Sequence, residues 1–196
     1  MTEHRIALAP STTVPLPTDI TGSSRAVQAA WIVGFAVLTA VGAQVEIPHL
    51  PVPYTLQTLV VLLAGGFLGS RKAALSMALY LVLGVAGLPM FSGAGFGVAR
   101  VLGPTGGYLL AFPIAAAVVG VIVGQRSRLW RTTLAMIAGL LVVFFLGTVQ
   151  LYAVLLHSWP AAFQSGFLVF SMGDLVKLVA AVLLVHGVRR GPIFLK

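Results

Sequence analysis

Cysteine is absent from the 196 residues, and acidic side chains nearly so, with four Asp and Glu against twelve Lys and Arg. The first absence removes disulfides, zinc-thiolate sites, iron–sulfur clusters and thiol nucleophiles, and leaves the redox compartment open because nothing can be oxidised. The second leaves no acidic pair that can be placed in one cavity. Charged residues make up only 8% of the chain, too few to cover the surface of a water-soluble domain of this length. Phosphate-loop and dinucleotide fingerprints are missing. His4, His49, His157 and His186 lack the local spacing of a zinc site, and no Ser–His–Asp arrangement is visible. An enzyme, a resident cofactor and a bound metal are therefore not expected.

What is present is apolar: 59% of residues are hydrophobic and mean hydropathy is +1.04, which predicts an all-α membrane protein with the lipid bilayer as its solvent. Apolar runs near the ~20 residues that cross a bilayer lie at Ala26–Val45, Pro53–Gly69, Ala73–Leu88, Gly106–Val123, Leu134–Leu156 and Phe167–Val188. Six transmembrane helices are expected. Arg5 and Arg25 precede the first run, and Arg71 and Lys72 follow the second. Arg126, Arg128 and Arg131 follow the fourth, and Arg189, Arg190 and Lys196 the sixth. With six spans all ten face the cytoplasm, as the positive-inside rule requires, and both termini lie there. The +8 net charge is thus dispersed as topology signals, with no basic stripe for nucleic acid. Residues 1–25 read as a disordered cytoplasmic tail, 26–190 as one six-helix domain and 191–196 as a short C-terminal tail, with no signal-peptide core in the Pro- and Ser/Thr-rich start.

The informative residues are the few polar ones that a bilayer rejects. Asp174 and Lys177 lie three apart on one face of the last span, where either charge alone costs at least ~2.5–3.5 kcal/mol. They form either a structural ion pair or a ligand site, the carboxylate accepting N–H groups of a neutral polar ligand and the ammonium meeting a ligand carboxylate. Loop one, Glu46 to Gln57, holds Pro48, Pro51 and Pro53 and reads as a rigid lid. Pro53 is expected in the first turn of the next helix, with Thr55 and Gln57 near its outer end, Gln57 serving either ligand or helix packing. Loop three, Gly87 to Tyr108, is glycine-rich. In it Phe91, Phe96 and Tyr108 are candidates for pocket walls or for an aromatic belt, and Arg100 for ligand capture or lipid phosphate. Small residues on the first span form two rows, Ala26/Ala30/Gly34 and Ala36/Ala40, suited to internal packing or to a partner helix.

Pro51-Val-Pro-Tyr-Thr-Leu-Gln-Thr-Leu59, Gly84-Val-Ala-Gly-Leu-Pro-Met-Phe91, Gly103-Pro-Thr-Gly-Gly-Tyr108 and Gly173-Asp-Leu-Val-Lys177 occur in this order. On these motifs the chain resembles the BioY family, the biotin-specific S component of energy-coupling factor (ECF) transporters. The resemblance covers nearly everything after the tail. It implies S-component architecture with an outward-facing pocket, biotin as ligand, and partnership with a transmembrane coupling subunit and paired ATPases in a bacterial or archaeal cytoplasmic membrane. It also implies that Asp174 accepts from the ureido N–H groups, that Lys177 faces the valerate carboxylate, and that loops one and three close over the rings. An alanine row on the first helix, Ala36 and Ala40 or the Ala26 row, would meet the coupling subunit. The chain departs from the family pattern at Met172, often Pro, and in lacking a loop-three asparagine, for which Gln57 or Ser92 would substitute. An S component for another vitamin, and a membrane enzyme or channel, are the competing readings. Having no Walker motif, the chain would draw ATP energy from other polypeptides.

Overall fold

The computed structural model describes residues 24–124, 128–168 and 171–190; the expected N-terminal tail up to residue 23 and C-terminal tail lie outside these. The chain runs α1 (Arg25–Gln44), β1 (Glu46–Ile47), β2 (Tyr54–Thr55), α2 (Gln57–Leu68), α3 (Ser70–Val85), α4 (Val98–Leu102), α5 (Gly106–Val123), α6 (Leu129–Leu151), α7 (Trp159–Phe163) and α8 (Ser171–Arg190). A 3₁₀ turn at Ser92–Ala94 precedes α4, and wide π turns at Tyr152–Leu156 and Gln164–Leu168 flank α7. Among the described residues, three helical stretches, Arg25–Gln44, Gly106–Val123 and Leu129–Leu156, are long and apolar enough to cross a membrane. A fourth is reached if Trp159–Leu168 and Gly173–Arg189, bent by 44°, count as one span.

Large aliphatic residues such as Val37, Val41, Leu75, Val82, Val121, Leu141 and Leu183 stand exposed on the outside of the bundle, which suits lipid rather than water. The core lies between α2, α3, α5 and α6, around Leu62, Met77, Tyr80, Phe112 and Met136. Helix α2 is its hub and touches α1, α3, α5, α6 and α8. Its Gly65 and Gly66 allow this, because a Cβ on Gly65 would collide with the Ala116 carbonyl and Val119 of α5, and one on Gly66 with Val185 of α8.

Two expectations need correcting here. Pro53 is not in the first turn of α2: the chain stays extended through Tyr54–Thr55, which pairs antiparallel with Glu46–Ile47 in the register Glu46↔Thr55, and the helix starts only at Gln57. At about 1.5 Å per residue its twelve residues reach roughly 18 Å, and the missing outer turns leave the space above Gln57. The second is the start of the third run, expected at Ala73: Gly69 alone, at φ 73°, joins α2 to α3, which begins at Ser70, so Arg71 and Lys72 follow α2 as expected but lie in the first turn of α3. Other boundaries shift by a few residues; Gly106–Val123 matches as expected.

The bundle has two unlike ends. At one, a Cβ on Gly120 would strike Ser70, and the Arg189 guanidinium donates to the Gly124 carbonyl at 2.8 Å. Arg71, Lys72, Arg128 and Arg131 lie in or beside these same turns. At the other end the β1–β2 hairpin and the Phe91–Leu102 segment gather over the polar residues.

Candidate functional site

Thr55, Gln57, Phe91, Ser92, Arg100, Tyr108, Asp174 and Lys177, which the sequence nominates from loop one, loop three and the last span, all line one pocket. The space between its walls, open mouth included, is about 600 Å³. Val52, Pro53, Leu109, Phe112 and Phe144 supply apolar walls. An outer cleft lined by Glu46, His49, Leu50 and Gly93 shares Pro53, Ser92, Arg100 and Thr105 with the pocket and forms its mouth.

The floor is a polar knot between α2 and α8. Asp174 is 2% exposed and Lys177 12% by side chain, and Lys177 Nζ lies 2.9 Å from Asp174 Oδ1. The same ammonium donates to the Thr55 carbonyl at 2.7 Å and to Thr58 Oγ1 at 3.3 Å. Thr58 donates in turn to Asp174 Oδ1 at 3.0 Å. All three Lys177 protons therefore have protein acceptors, one of them a backbone carbonyl that α2 leaves free by starting late. Asp174 Oδ2 is different: it is buried and takes no hydrogen bond among the described residues. Beside the knot, Gln57 Nε2 donates to the Tyr80 hydroxyl at 2.5 Å, while Gln57 Oε1 accepts from Thr55 Oγ1 at 2.9 Å. Gln57 thus serves helix packing and pocket lining together.

The walls hold the aromatics. Phe91 is 2% exposed and meets Tyr80 edge-on at 5.6 Å, its ring filling the place a Gly84 side chain would take. Tyr108 lies against Gly147 in the same way and donates to the Gly166 carbonyl at 2.8 Å. Neither is a belt residue; Phe96, 59% exposed, is not in the pocket lining. Ser92 donates a short hydrogen bond to Glu46, joining loop three to the hairpin. Arg100 stands exposed at the mouth, and its guanidinium has neither a hydrogen bond nor an ion pair among the described residues.

Thr58 is the floor residue that sequence reasoning passed over. A threonine inside an apolar helix is unremarkable, and its only signal is its place beside Gln57 in a recognised motif. The two small-residue rows separate cleanly. Ala36 is fully buried and Ala40 is half-buried against the core, so this row packs internally. Ala26, Ala30 and Gly34 are exposed.

An apolar helical shell that closes over a pocket with a charged floor is the arrangement of a membrane protein that holds a small solute. The chain belongs to the BioY family, whose model matches residues 13–192. A Pyrococcus horikoshii protein named "Probable biotin transporter BioY" is 41% identical over 150 residues, covering 76% of this chain and 88% of that protein. "Biotin transporter BioY" of Thermotoga maritima is 37% identical over 150 residues, with the same coverage. In fold, the chain is similar to the crystal structure of an S-component for biotin from an ECF-type ABC transporter, with a TM-score of 0.78 over 87% of this chain and 94% of that one, at 24% identity.

Proposed function

We propose that this chain captures biotin outside the cell and serves as the substrate-specific subunit of an ECF-type transporter in the cytoplasmic membrane. Asp174 Oδ2, a buried acceptor without a donor in a mostly apolar pocket, carries the reading. A ureido group brings N–H donors and no charge, which satisfies that oxygen without disturbing the ion pair. Lys177 then holds Asp174 in place instead of meeting the ligand carboxylate, since its protons are already used. The valerate carboxylate is left to Arg100 at the mouth, and Phe91, Phe112, Tyr108 and Phe144 enclose the fused rings. Gln57, Thr55 and Ser92 shape the polar rim.

In this reading α1, α2, α3, α5, α6 and α8 are six spans of one domain over residues 26–190, with α2 and α3 thin because the pocket occupies the outer leaflet above α2. The basic end faces the cytoplasm together with both termini, and the pocket opens outward. A transmembrane coupling subunit meets the exposed Ala26/Ala30/Gly34 row, and paired ATPases supply the energy that this chain has no motif to harvest.

The test is equilibrium binding of labelled biotin to purified, detergent-solubilised protein, beside a folded Asp174→Ala variant. Saturable binding that falls at least about a hundredfold in the variant is expected, as when a buried charge-assisted contact is lost. A folded wild type that ignores biotin but retains another vitamin would replace the ligand and keep the architecture.

A further inference from the structure

The loop that presents Phe91 and Ser92 to the pocket is tightly wound. Phe91 and Gly95 bridge each other, with the Phe91 N–H on the Gly95 carbonyl at 2.9 Å and the Gly95 N–H on the Phe91 carbonyl at 3.1 Å. The two residues that close this turn are both left-handed, Gly93 at φ 63° and Ala94 at φ 53°. Glycine accepts such a conformation freely; alanine resists it because its Cβ crowds the backbone. Something outside the turn must hold Ala94.

Gln44, the last residue of α1 and absent from the pocket lining, is placed to do so. Its Oε1 accepts the Ala94 N–H at 2.9 Å, and its Nε2 donates to the Phe91 carbonyl at 3.0 Å. The same nitrogen is anchored to the Ala40 carbonyl at 3.2 Å, one turn back on α1. A primary amide is the side-chain group that offers donor and acceptor side by side, so it grips both ends of the turn as a neighbouring strand would. From this geometry we infer that Gln44 is a positioning residue for ligand capture: it fixes the strained turn and so presets the Phe91/Ser92 wall without touching the ligand. Glu46, two residues further on, holds Ser92 itself, so the outer end of α1 and the strand after it brace the whole wall.

The inference rests on reading the pocket as a biotin site, and the experiment separates the two. Association and dissociation of labelled biotin are followed with the wild type, Gln44→Ala, Gln44→Glu, Ala94→Gly and the Gln44→Ala/Ala94→Gly pair, and hydrogen exchange at the Ala94 amide is measured without ligand. One exposed and one part-buried hydrogen bond at the low end of their usual worth set the scale, so Gln44→Ala is expected to release biotin about fivefold faster and to expose the Ala94 amide. Gln44→Glu keeps the acceptor for Ala94 and loses the donor to Phe91, so it should fall between wild type and Gln44→Ala; it also serves should the alanine variant fold poorly. Ala94→Gly removes the strain that the clamp opposes, so the double variant should recover part of the lost residence time. Wild-type release rates in both Gln44 variants, or a Gln44→Ala deficit that Ala94→Gly leaves unchanged or deepens, would overturn the clamp while leaving biotin binding intact. Failure of the wild type to bind biotin would remove the underlying reading instead.

Discussion

The floor and the outer wall of the pocket are held by opposite means. On the floor, charged and polar side chains of α2 and α8 grip one another in a buried knot: Lys177 saturates its three protons on Asp174, Thr58 and the Thr55 carbonyl. The wall is backbone, turned through left-handed residues and held at its exposed rim by Gln44 and Glu46. Buried charge is costly to disturb, so the floor has one arrangement. Rim hydrogen bonds compete with water and are individually worth little, so a single substitution loosens the wall at smaller cost than it does the floor.

The sharpest way to break this contrast is Lys177→Ala. It leaves the Asp174 carboxylate buried without its counter-charge, a change that typically costs ~3–5 kcal/mol, and removes the ammonium that holds Asp174 Oδ1 in place. Biotin binding should fall by two orders of magnitude or more and thermal stability should drop, with calorimetric titration and a melting curve as readouts. Asp174→Asn/Lys177→Met, which removes both charges together, should regain the stability and not the binding. Full binding by Lys177→Ala would mean that the floor is structural only.

The same contrast explains what could be read from the residues. Asp174, Lys177 and Gln57 are legible because a bilayer-spanning helix rarely carries such groups, and the ligand chemistry follows from their types. Thr58 is hidden because threonine passes unnoticed in a membrane helix. Lys177's partners are hidden as well, since nothing in the sequence says that Thr55 will present a free carbonyl. Pro53 misleads: it suits a helix start, but Tyr54–Thr55 gains more by pairing with Glu46–Ile47. Gln44 looks like the polar end of a span, and its grip on a loop some fifty residues away is a tertiary fact. For Ala36 and Ala40 the spacing specifies close approach without saying what approaches, and here it is the protein's own core.

Arg100 belongs to the wall and should behave accordingly. A free, exposed guanidinium that meets a ligand carboxylate acts through a partly screened attraction, so Arg100→Ala is expected to weaken biotin by about tenfold and to flatten its dependence on salt. The floor would be untouched, so a neutral ligand such as biotin methyl ester should bind wild type and variant within about twofold of each other. An equal loss for acid and ester would place the carboxylate elsewhere and return Lys177 to that role.

The smallest effect is expected where wall meets core, at Gly84. A Cβ there would overlap the Phe91 ring, and added atoms in a packed interior commonly cost ~1–3 kcal/mol. Gly84→Ala should therefore lower the melting midpoint and push the Phe91 ring outward, with only a few-fold loss of biotin affinity because the floor still makes its contacts. Phe91→Leu in the same chain frees the ring's volume, so the double variant should melt nearer to the wild type than Gly84→Ala does. Its affinity should stay low, because leucine cannot give the ligand the flat face of a phenyl ring. If the pair restores affinity as well as stability, Phe91 is packing for the α3 end of the bundle and the ligand is walled by Tyr108, Phe112 and Phe144 alone.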